Sequence, residues 1–174
     1  MRRPSALLIL PIALAALAGC GYHTLGAATH LPPDVKTLSV PVFATRTNSN
    51  RTEIVMTSAV IREFATRTRL RVTPSQSSDP DVTLHGTILT QTDAPLTYNS
   101  ETQQSSSYLI TIVVAVTLKA RDGRILYQNN NYVFRQQYQA TTDLATFLDE
   151  SPAAVDRLSR DFARALVANV LESF

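Results

Sequence analysis

The feature that most constrains this chain is a run of strict alternation. Tyr108, Ile110, Ile112, Val114, Val116 and Leu118 occupy every second position of residues 108–120. That is the two-residue period of a β-strand. The intervening set includes Leu109, Val113 and Ala115, so the second face is partly apolar and could be covered as well. Asp122-Gly123, flanked by Arg121 and Arg124, then forms a hairpin signal, because glycine takes the positive φ that tight turns require. The returning strand is expected from Ile125 to about Tyr138. A hairpin of this length must bury one face, and the covering layer has to come from elsewhere in the chain.

Two helical segments supply it. Between residues 51 and about 68, Ile54, Thr57, Ile61, Phe64 and Ala65 recur at helical spacing, and Asn50 with Glu53 resembles a capping box. At the C-terminus, Ser151 is a good cap and Pro152 a good first helical residue. Val155, Leu158, Phe162, Ala165, Leu166 and Val170 follow as an apolar stripe. A strand over residues 37–43 places Leu38, Val40 and Val42 on one face, with Pro41 marking an edge or bulge. A strand over residues 82–91 does the same with Val82, Leu84, Gly86 and Ile88, and a short extended piece is expected at 70–73. The order β-α-β-β-β-α predicts an α+β fold: a two-layer sandwich of two helices on one face of a four-stranded mixed sheet. A first crossover between parallel strands would be right-handed. Residues 37–174 show no internal repeat or boundary and read as one domain.

The N-terminus carries a different kind of signal. Arg2 and Arg3 precede an apolar stretch at residues 6–17 and the small residues Ala18 and Gly19, the order of an export signal. The stretch is shorter than the about 20 apolar residues a transmembrane helix needs. Leu17-Ala18-Gly19-Cys20 resembles the lipobox of bacterial lipoproteins, which implies cleavage before Cys20 and lipid on its thiol and new amino terminus. Cys20 is the only cysteine, so no internal disulfide is available to it. Each buried methylene contributes about 0.8 kcal/mol, which makes several acyl chains a stable anchor. Residues 1–19 are thus expected to be a signal peptide and residues 20–36 a lipidated tether. The expected covalent groups are a diacylglycerol and an N-acyl chain on Cys20.

Cleavage also removes two of the 16 basic residues and leaves 14 against 14 acidic ones. A near-neutral domain lacks the basic face that neutralising phosphates requires, so nucleic acid is not an expected partner. Charged residues make up 17% of the chain, below the roughly 25% usual for soluble domains. Such a surface suits a protein that hides much of itself against a partner.

Catalytic and metal chemistry find little support. His23, His30 and His85 are scattered, and no phosphate loop, serine elbow or cysteine nucleophile is present. Asp149 and Glu150 fit the electrostatics of a helix N-terminus. No metal, no cofactor and no enzymatic activity are therefore expected. The connection at residues 92–107 is longer than usual, so it is either two strands running past the helices or a binding loop. Leu96 and Tyr98 are its apolar candidates for partner contact. Lys119, Arg121 and Arg124 form a basic hairpin end, for which a solvated turn is the plainer reading. Arg135, between Phe134 and Gln136, could face a partner from the last strand. Tyr127, Tyr132 and Tyr138 suit packing more than recognition.

These residues together resemble the LptE family, the lipopolysaccharide-assembly lipoproteins of the Gram-negative outer membrane. The resemblance rests on Cys20-Gly21-Tyr22-His23, Leu31-Pro32, Ser39-Val40-Pro41-Val42-Phe43, Tyr108 opening the long strand, and Val133-Phe134-Arg135. It implies a plug in the lumen of an LptD-type β-barrel, in a 1:1 heterodimer that inserts lipopolysaccharide into the outer leaflet. Gly21 after the lipidated cysteine is consistent with outer-membrane delivery and an anchor on the periplasmic face. Family members place basic ligand contacts between the second and third strands and just after the fourth. Residues 92–107 and 136–151 hold no Lys or Arg here, so the resemblance implies plugging and barrel assembly more firmly than direct lipopolysaccharide binding. Another lipoprotein adaptor, such as a CsgG-like secretion component or a cell-wall synthase activator, is the alternative.

Overall fold

The computed structural model describes residues 34–48, 51–74, 79–98, 105–141, 148–149 and 151–172. The signal segment, Cys20, the tether up to residue 33 and the tip at 99–104 lie outside the described residues. Among the described residues seven strands and two helices follow in chain order: β1 (Thr37–Ser39), β2 (Ala44–Thr45), α1 (Thr52–Arg67), β3 (Arg71–Thr73), β4 (Val82–Tyr98), β5 (Ser105–Ala120), β6 (Ile125–Thr141), β7 (Leu148–Asp149) and α2 (Ser151–Glu172). The sheet runs β3-β1-β4-β5-β6-β7, with β2 also pairing β4. β1 is parallel to β3 and β4, while β4, β5 and β6 form a long antiparallel meander. The expected α+β sandwich is present, and its sheet is wider than four strands because β2, β3 and β7 add short pairings.

The core is the face predicted by alternation. Val82, Leu84 and Ile88 of β4 and Ile110, Ile112, Val114, Val116 and Leu118 of β5 are buried beneath the two helices. α2 buries Val155, Leu158, Phe162, Leu166 and Val170 as its stripe predicted, and adds Ala154, Ser159, Ala163 and Val167. Ala165 is only half-buried. The stripe of α1 is rotated from expectation. Met56, Thr57, Ala59, Val60 and Phe64 are buried, whereas Ile54 is 41% exposed and Ala65 faces solvent. Met56, Val60 and Phe64 at i, i+4 and i+8 form the true seam. The residue flanking α1 is Arg51 in a left-handed conformation, with no side-chain cap hydrogen bond of its own. Asn50 itself lies outside the described residues.

Three one-residue offsets decide which side chains meet. Between β1 and β2 the pairing to β4 slips from Ser39↔Thr83 to Ala44↔Thr87, leaving one extra residue around Pro41. Phe43 consequently turns into the core at 2% exposure, and Val42, expected inside, is 58% exposed. A bulge in β4 between Ile88 and Thr90 brings Gln91 and Asp93 onto the helix side opposite Ile112 and Ile110. The third of these offsets is a bulge in β6, where Val116 pairs Asn129 but Val114 pairs Tyr132. Tyr127 and Tyr132, five residues apart, thereby share the helix side.

Phe43 is held by a donor and by space. Its N–H donates to Thr57 Oγ1 at 3.0 Å, and that hydroxyl donates to Glu53 C=O at 2.6 Å. Its ring lies over Gly86, where an added Cβ would fall 2.6 Å from three ring carbons. Gly86→Val should therefore destabilise the fold by about 1–3 kcal/mol through overpacking. Urea unfolding should show a lower midpoint, and Phe43→Leu in the same chain should recover part of the loss. Unchanged stability of Gly86→Val would contradict the close approach.

Candidate functional site

The six candidate contacts fall into three separate places. Lys119, Arg121 and Arg124 lie at the β5–β6 turn, and Leu96 and Tyr98 at the other end of β4. Roughly 40 Å of strand separates the two ends at about 3.3 Å per residue. Arg135 sits between them, paired with Thr111. No single small ligand can engage all three.

At the turn end the chemistry is built around Asp81. Its Oδ2 accepts the N–H groups of Lys36 (3.0 Å) and Thr37 (2.9 Å) and the Thr37 hydroxyl (2.8 Å). Its own N–H donates to Thr37 Oγ1 at 2.8 Å. Arg121 reaches across from the turn, pairing Asp81 Oδ1 at 3.1 Å and Asp79 at 3.2 Å and donating to Asp79 C=O at 2.7 Å. Arg124 stands 3.8 Å from Asp122. Gly123, at φ +86°, closes the turn as the Asp-Gly signal predicted. Asp34, Val35, Asp81, Ala120, Arg121, Asp122, Arg124 and Leu126 line an open cleft of about 410 Å³ here. Arg121 is thus committed to stapling three chain segments, and Lys119 is the exposed cation beside it. His85, on the helix-free face nearby, is held below its ordinary pKa by desolvation and then by Lys119.

The far end is a three-stranded extension. Residues 92–97 are exposed, Leu96 at 46%, and Tyr98 completes β4. Strands continuing past the helices account for most of the 92–107 connection. Tyr108 and Tyr138 stack at 5.5 Å between centroids, Tyr138 OH donates to Asp93 Oδ1 at 3.1 Å, and Gln137 Nε2 donates to Ser107 Oγ at 2.7 Å. These contacts tie β4, β5 and β6 together at this end.

Two groupings were not legible beforehand. Phe162 meets Phe43, Tyr132 and Phe134 edge-on at centroid distances of 6.2, 5.8 and 5.5 Å. Tyr132 OH shares a hydrogen bond with Tyr127 OH and accepts from Asn169 Nδ2 at 2.8 Å. Desolvation, reinforced by Tyr127, raises the Tyr132 pKa to about 12. The bulge in β6 that joins the two tyrosines leaves no mark in the hydrophobic pattern. Among the described residues no group of three or more His, Cys, Asp or Glu could hold a metal ion. The arrangement offers rigid surfaces for binding.

Hydrogen bonds from the N–H of Lys36 and then the Thr37 hydroxyl lower the pKa of Asp81. Its contribution to stability is then present above the unfolded value of about 3.9 and lost as pH falls through the lower folded value. Asp81→Ala should cost about 1–2 kcal/mol at neutral pH, at the low end for charged hydrogen bonds because the group is partly exposed. The difference from the parent should shrink below pH about 4, as pH-dependent urea unfolding would show. A difference independent of pH would refute the role.

No curated protein matches the chain. Among solved structures, a Caulobacter crescentus CB15 protein superposes with a TM-score of 0.52 at 9% identity, covering 75% of this chain and 87% of that one. The uncharacterized lipoprotein B of Nitrosomonas europaea gives 0.51 at 12%, covering 78% and 83%. A hypothetical protein of Chlamydia trachomatis gives 0.50 at 13%, covering 79% and 96%. At these identities the likeness speaks for the fold. The lipopolysaccharide-assembly family model, LptE, matches residues 35–170, which spans β1 through nearly all of α2; the chain belongs to the LptE family of lipopolysaccharide-assembly proteins.

Proposed function

We propose that this chain is a lipoprotein on the periplasmic face of the outer membrane that plugs and helps assemble an LptD-type β-barrel, in a 1:1 complex that inserts lipopolysaccharide into the outer leaflet. The family match over residues 35–170 is the observation that carries the reading. Its anchor is diacylglycerol and N-acyl lipid on Cys20, after removal of residues 1–19. No described helix is long and apolar enough to cross a membrane. The physical character of the domain agrees with a plug. Large outer-membrane barrels have polar interiors that can be filled by a folded body. A weakly charged sandwich, in which Arg67, Arg121, Arg124, Arg160 and Arg164 are paired with carboxylates of the same domain, suits such an interior.

The role is one of structure and binding, without catalysis, cofactor or metal. Lipopolysaccharide contact is secondary in this reading. Arg121 is engaged by Asp79 and Asp81 and Arg124 stands beside Asp122, so Lys119 is the cation of that turn left for phosphate. Leu96, exposed at the far end of β4 where Tyr98 closes the strand, is better placed for the barrel.

Tagged full-length protein purified from detergent-solubilised outer membranes of its host should carry one large β-barrel protein in near-equal amount. Recovery alone, as a homo-oligomer, or with a peptidoglycan synthase would overturn the plug. Cys20→Ser should move the protein from the membrane to the soluble periplasmic fraction, because the lipid is its only anchor in this scheme. Undiminished membrane retention of a cleaved, unlipidated Cys20→Ser chain would contradict that.

A further inference from the structure

The two edges of the sheet are managed in opposite ways. β3 closes one edge with three residues and an exposed Arg71. Short, charged edges resist pairing with other chains. β6 lies at the other edge and is 17 residues long, from Ile125 to Thr141. It contains no Pro, Gly, Lys, Asp or Glu, and its one charge is Arg135. On its outer side no pairing of residues 131–137 to a described strand exists, while Ala140 and Thr141 are paired antiparallel to β7. That pairing shows the outer backbone is geometrically able to accept a strand.

The bulge near Asn130 interrupts the edge, and residues 131–137 form its regular part, about 23 Å long at 3.3 Å per residue. This part is also the most firmly held. Tyr132 and Phe134 point inward and lock on Phe162, while Val133 is 37% exposed and Arg135 is exposed on the opposite face. A pre-ordered template loses little freedom when a strand adds to it.

We infer that the outer edge of β6 at residues 131–137 is a strand-addition site for an extended, antiparallel segment of the barrel partner that carries a carboxylate opposite or diagonal to Arg135. The inference rests on the plug reading above. Backbone hydrogen bonds supply the affinity, and side chains on alternate positions supply the choice of segment. A second copy of β6 is the poorer occupant. It has no acidic residue to offer Arg135 in any register, and registers centred there oppose two arginines.

Amide hydrogen exchange of full-length lipidated protein, alone in detergent and in the purified outer-membrane complex, tests this. In the free protein the outward N–H groups of residues 131–137 should exchange fast and alternate with slow, β5-bonded ones. In the complex the outward set should slow by roughly a hundredfold or more. R135E should weaken recovery of the barrel roughly tenfold while leaving the unfolding midpoint of the free domain in place, and R135K should restore most of it. A photo-crosslinker at Val133 should join an extended barrel segment containing Asp or Glu. A barrel that co-purifies while the outward amides stay fast overturns the strand-addition site and leaves the plug standing. A crosslink from Val133 to a second copy of this chain overturns the assigned occupant. Absence of any barrel partner removes both readings.

Discussion

The ring of Phe162 is the contact on which the rest of the structure depends. It receives Phe43, Tyr132 and Phe134 edge-on, so one side chain of α2 ties together the β1–β2 link and the outermost long strand. Such pairs contribute about 0.5–1.5 kcal/mol each beyond the area they bury. Their geometric demand matters more. Phe43 reaches Phe162 only because one extra residue around Pro41 turns it inward, Thr57 holds its N–H, and Gly86 leaves room beneath its ring. A change at any of these points displaces the same ring, which couples α1, β4 and α2 to β6.

Beyond that hub the molecule divides into a stapled end and an extended end. At the first, Asp81 and Arg121 join the starts of β1 and β4 to the β5–β6 turn through charge-assisted hydrogen bonds. At the second, tyrosine stacking and short polar contacts tie the ends of three long strands together. Cations concentrated at the turn are largely spent on internal carboxylates. This distribution accords with the proposed fit against a partner protein more than with the gathering of anionic lipid. The open edge of β6 adds a place where such a partner could join the sheet itself.

Much of the fold is legible in the chain because its periods are unambiguous. The alternation through Ile110, Ile112, Val114, Val116 and Leu118, the Asp122-Gly123 turn and the stripe of α2 each describe one face of one element, and burial follows them residue by residue. The α1 stripe was harder. Ile54, Ile61 and Ala65 compete with Met56, Ala59 and Val60 for the inward side, and only the position of α2 decides between them. The candidate contacts were chosen for residue type, and type alone could not say that Arg121 is already paired while Arg135 stands on the open strand.

The amino-acid sequence by itself determined the two helices, the long strands and their order, the core of the meander and the family, since these depend on local periodicity, turn chemistry and composition. The tertiary structure alone decided the three one-residue offsets: Phe43 in place of Val42, Gln91 and Asp93 on the helix side, Tyr127 beside Tyr132. An extra residue in a strand reverses every side chain beyond it, yet whether the chain places it in the ladder or out of it depends on what the neighbouring strand and helix can accommodate. That choice is made by packing across the sheet, over separations that no local pattern records.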